Sequence, residues 1–65
     1  MKYEEIAWVP MCVPAKGEPW FWPRGIRETQ KEARANFVEH CSMEWKALRI
    51  EGWRIVRVKL TAEIH

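Results

Sequence analysis

Four side chains in this 65-residue chain have the chemistry to hold a metal ion: Cys12, His40, Cys41 and His65. Thiolate and imidazole are the usual ligands of zinc, and a closed tetrahedral site takes four of them. The spacing speaks against that use. No Cys-x-x-Cys knuckle occurs, and neighbours on a helix, such as His40 and Cys41, point about 100° apart. The same divergence separates a Cys41–His40 nucleophile pair and a Glu39–His40 acid–base pair. The chain has no Asp to orient a catalytic His, and it carries no Gly-rich phosphate loop, nucleophile elbow or metalloprotease motif. The sequence therefore predicts a non-enzymatic protein with no catalytic residue, metal, cofactor or small-molecule substrate. Both cysteines read as free thiols, Cys41 as a small buried hydrophobe.

Binding chemistry is better represented. Five Trp, two Phe and one Tyr occur in 65 residues, and eleven Lys and Arg stand against nine Glu for a net charge of +2. So small an excess does not by itself imply nucleic acid. Arg24, Arg27 and Arg34 cluster around a helix start, where an anion would be welcome. The plainer reading, adopted here, is solvated charge paired with Glu28 and Glu32.

These residues need elements to position them. Glu4 to Pro14 reads as a first strand, and Pro10 within it, which cannot donate to a ladder, predicts an edge strand or a bulge. Gly17 and Pro19 supply turn chemistry, and Trp20-Phe21-Trp22 begins a short second strand. Thr29-Gln30-Lys31-Glu32 fits the capping-box pattern. From Gln30 to about Ile50, apolar residues recur every three or four positions, giving one amphipathic helix with room for a break near Ser42. About twenty residues make roughly 30 Å of helix, which matches a ten-residue strand. Gly52 offers a left-handed helix stop. Trp53 to Leu60 then alternates as a third strand, with Val56, Val58 and Leu60 against Arg57 and Lys59.

The expected fold is thus α+β: one domain over residues 1–65, a three-stranded antiparallel-type sheet with one helix on one face, in the order β-β-α-β. Phasing places the core on Ile6 or Val9, on Phe37, Cys41, Trp45 and Leu48, and on Val56, Val58 and Leu60. Truncating Trp45 would then cost about 3–5 kcal/mol. If Tyr3-Glu4-Glu5 and the basic third strand are neighbours, their charges pair.

The strand with its Gly-containing turn, the Trp-bearing second strand, Arg27-Glu28-Thr29 with Glu32-Ala33, Trp45-Lys46-Ala47-Leu48 and Gly52 to Val58 together resemble small orphan proteins encoded by bacteriophages and prophages. The resemblance implies a viral or prophage origin and carries no activity with it.

Function is expected on the sheet face that the helix leaves open. With Val56, Val58 and Leu60 turned to the helix, Ile55, Arg57 and Lys59 would face away, beside aromatics of the hairpin: Trp20 and Trp22, or Phe21 with Trp8. Five Trp exceed what so small a core encloses, so at least one of Trp8, Trp20 and Trp22 should be exposed. Trp8, Trp20, Trp22, Ile55, Arg57 and Lys59 form the predicted interaction surface, used for a homodimer or for an unknown host or viral protein. A charge introduced at Trp22 would then weaken association. The alternative is a single-stranded nucleic-acid module on that same face, with bases on the aromatics and phosphates on the cations. Met1 to Glu5 lacks the basic and apolar regions of a signal peptide, and no apolar run is long enough to span a bilayer. With two Cys and no secretory signal, the expected compartment is the cytoplasm, without membrane contact.

Overall fold

The structure is a computed structural model and describes residues 1–64; His65 lies outside the described residues. It is an α+β arrangement in the order β-β-α-β, with a three-stranded antiparallel sheet and one main helix. Strand β1 spans Lys2–Cys12, β2 Trp20–Phe21 and β3 Trp53–Glu63; helix α1 spans Gln30–Cys41 and α2 Trp45–Ile50. A short 3-10 turn at Pro23–Gly25 joins β2 to the helix approach.

The sheet order is β2-β1-β3, so β1 is the central strand rather than an edge. Pro10 is tolerated there for a reason visible in the ladder. The register runs without a bulge from Lys2↔Glu63 to Cys12↔Trp53. The N–H and C=O of Trp8 both bond to Arg27, and the Trp22 N–H donates to the Pro10 carbonyl. Even-numbered residues of β1 therefore aim their backbone away from β3. The missing N–H of Pro10 falls on that side, in the gap between the two-residue β2 and the isolated Trp8↔Arg27 bridge. No β3 bond is lost.

Thr29 caps α1 as the sequence predicts: its Oγ1 accepts the Glu32 N–H at 3.2 Å, and its own backbone is extended. Thr29→Ala should lower stability by about 1 kcal/mol with the fold unchanged, read as a shifted urea midpoint at constant slope. An unchanged midpoint would mean that water serves the Glu32 amide equally well. The helix breaks where Ser42 takes a left-handed φ of 54°, the room for a break that the sequence left. Gly17 and Gly52 both hold positive φ, at 102° and 105°.

The break changes the architecture. Twelve residues of α1 make about 18 Å of helix, whereas eleven-residue strands run to about 36 Å. The helical layer is therefore about half as long as the strands beneath it. The expected match of one long helix to one strand does not hold.

The core is small. Ala7, Val9, Pro10, Cys12, Ala33, Phe37 and Leu48 are buried. Of the predicted core, Val9, Phe37 and Leu48 stand. Cys41, Trp45, Val56 and Val58 are only half-buried, and Ile6 and Leu60 are exposed. Phe37 is the centre instead, with its ring 4.4 Å from Trp53 and 5.3 Å from Trp22.

Candidate functional site

Residues opposite one another in a ladder share a face. On one face lie Trp8 opposite Arg57, Pro10 opposite Ile55 and Cys12 opposite both Trp20 and Trp53. Phe37 of α1 packs on Trp53, so this is the face that the helices cover. On the other face lie Ala7 opposite Val58, Val9 opposite Val56 and Glu5 opposite Leu60.

This inverts the expected phase of β3. Val56, Val58 and Leu60 turn away from the helices, and Ile55, Arg57 and Lys59 turn towards their side. The six predicted surface residues do share one face, but it is the helix-bearing one. Trp22 tilts against Phe37 and against the His40 ring at 4.4 Å, which locks it into the packed layer. Trp20 sits edge-on to Trp53 at 4.9 Å and is 51% exposed, the exposed tryptophan that the aromatic count predicts. Trp8 and Ile55 are half-buried. Arg57 and Lys59 are exposed, and Lys59 Nζ lies 3.0 Å from Glu4 Oε2. That contact is the expected pairing of the acidic first strand with the basic third. As an exposed pair it contributes little.

The face turned away from the helices is apolar, and Ala7 and Val9 on it are already buried. Val9, Phe21, Pro23, Ile26, Val58 and Leu60 line a groove of about 240 Å³, open to solvent and without a polar side chain. Phe21 is 49% exposed and Leu60 39%. From Tyr3 to Met11 on β1 and from Arg54 to Ala62 on β3, this face carries only two charged residues, Glu5 and Arg54. They lie towards opposite ends and leave the middle uncharged. Sequence reasoning missed this groove because it assigned Val58 and Leu60 to the core. Phe21 was a usable signal: it alternates with Trp20 and Trp22 and so belongs to the other face.

His40 and Cys41 border one aromatic hollow with Trp20, Trp22, Phe37 and Trp53. Cys12 and Cys41 are free thiols, and Cys12 Sγ lies 3.9 Å from the Glu51 carbonyl. Burial, and secondarily the Glu51 carboxylate, push the Cys41 thiol above its ordinary value, so it stays protonated and weakly nucleophilic near neutrality. Among the described residues no three His, Cys or Glu side chains converge on a point where a metal could sit. Of the expected arginine patch, Arg27 is held by its own loop, donating from Nη1 to the Ile26 and Arg24 carbonyls at 2.7 and 3.2 Å.

Arg34 belongs to another group. Gln30 and Arg34 on α1, Trp45 and Arg49 on α2, and Arg54 and Ile55 on β3 line a hollow of about 300 Å³. No helix in the structure is long and apolar enough to cross a membrane. No protein-family model, curated protein or solved structure matches this chain.

Proposed function

We propose that the chain is a non-enzymatic accessory protein, of the phage or prophage type that its sequence resembles, acting through self-association of the sheet face turned away from its helices. The apolar groove carries this reading. Exposed Phe21 and Leu60 with half-buried Ile26 and Val58, over a floor of buried Val9, form an apolar groove of the sort that soluble domains normally cover. Two such faces related by a two-fold axis would stack as sheets about 10 Å apart, with the same patch on both partners. The centre of the patch has no cation to meet a phosphate, so stacking of protein on protein suits it better than capture of a nucleic acid.

Sedimentation equilibrium should give a mass above 7.8 kDa at high micromolar concentration. Leu60→Lys, at a site 39% exposed on that face, should return the monomer while the circular dichroism stays native. Trp22 is no longer the place for the charge, since it packs on Phe37 and His40. An apolar dimer should hardly respond to salt. Binding to labelled single strands that falls steeply with salt would favour the nucleic-acid alternative instead. A wild-type monomer at every concentration would remove the basis for self-association.

A further inference from the structure

The hollow between the two helices and β3 has a lining unlike the rest of the surface. Gln30 and Arg34 are four positions apart on α1, and Trp45 and Arg49 are four apart on α2. Each pair therefore lies on one side of its helix. The break at Ser42 turns the second pair to the same hollow as the first, and Ile55 with Arg54 completes the lining from β3.

Arg34 and Arg49 thus bring two guanidinium-bearing side chains to about 300 Å³ that no carboxylate lines, while Arg54, which the register turns to the opposite face, borders it from the edge strand. Among the described residues the one ion pair is Lys59 with Glu4, and the only guanidinium hydrogen bonds are those of Arg27. Among the described residues the guanidinium groups of Arg34 and Arg49 therefore have no protein partner. Two like charges on either side of one hollow repel one another, and an anion placed between them relieves that repulsion. Arginine's planar fork of donors matches a phosphate in two-point geometry. Half-buried Trp45 adds an aromatic wall on which a flat ring can stack. The volume lies at the small end of small-molecule sites, which suits a compact ligand better than a macromolecular surface.

We infer that this hollow binds a mononucleotide, with its phosphate held by Arg34 and Arg49 and its base against Trp45. The site lies on the helix-bearing side of the sheet and does not depend on self-association through the other face.

Isothermal titration with adenosine monophosphate, adenosine and inorganic phosphate tests this. The monophosphate should bind at least about tenfold more tightly than either part alone, since the charged contacts and the stacking act together. Arg34→Gln and Arg49→Gln should each weaken it about tenfold, and Arg49→Lys should also weaken it because the charge is kept but the fork is lost. Arg57→Gln, an exposed cation outside the hollow, should leave the affinity unchanged. Circular dichroism of each variant separates lost binding from lost fold, and if one glutamine variant unfolds, the other two substitutions still decide. No binding at millimolar monophosphate, equal affinity for adenosine, or unaltered affinity in the folded arginine variants would overturn the proposal.

Discussion

Phe37→Ala is expected to remove a large share of the chain's stability, about 3–5 kcal/mol. Phe37 is 2% exposed and lies between Trp22 and Trp53, so its removal opens a void that three elements cannot easily close. A 65-residue domain has about 3–10 kcal/mol in total. Urea denaturation followed by tryptophan fluorescence should show a strongly lowered midpoint. Trp45→Ala provides the contrast. Trp45 is only half-buried, and its loss should cost well under half as much. Equal effects at the two positions would mean that the helical layer sits differently on the sheet.

Gly52→Ala should cost about 2 kcal/mol or more. A Cβ there would lie 2.4 Å from the Val13 carbonyl oxygen and 3.0 Å from its carbon, both fixed backbone atoms. The Val13 N–H donates to the Gly52 carbonyl at 2.8 Å, so the two segments cannot part without losing that bond. The φ of 105° adds strain that a side chain does not relieve. Gly17→Ala isolates the last contribution: its φ is 102°, but its Cβ would meet only Pro14 Cγ at 3.9 Å. The Gly17 variant should therefore be clearly the more stable of the two in the same urea titration. If both lose the same midpoint, the clash with Val13 relaxes freely and only backbone strain remains.

Much of this fold is legible in local sequence signals. Thr29 starts a helix, Ser42 leaves room for a break, Gly52 stops the second segment, and β3 follows at once. Each is decided by a few adjacent residues and their own backbone chemistry. The facing of β3 is decided otherwise. Both of its alternating sets are apolar near the helices, with Trp53 and Ile55 in one and Val56 and Val58 in the other. Arg57 and Lys59 look like a solvent face only if the helical layer runs the length of the strand. Because α1 ends at Cys41, these cations stay exposed on the helix-bearing side. The central place of β1 was hidden for a related reason. A proline excludes a strand from the middle of a sheet only when its missing donor faces a partner, and that depends on where β2 ends. The hollow of Arg34, Trp45 and Arg49 needs the turn at Ser42, which spacing along one continuous helix does not provide.

The pairing of β1 with β3 also governs how the chain reaches this state. Their register joins the two extremes of the sequence, and even the innermost pair, Cys12 with Trp53, spans the loop, both helices and β2. Closing a loop of about 40 residues costs about 3 kcal/mol in chain entropy before any strand contact repays it. Once that pair is made, each further rung towards Lys2 and Glu63 adds bonds while ordering only two more residues. The helices, whose contacts are local, can flicker into place earlier but have no sheet to rest on. Folding should therefore wait on one improbable encounter and then zip outward, which places this small domain among slow, topology-limited folders rather than with helical chains of its length.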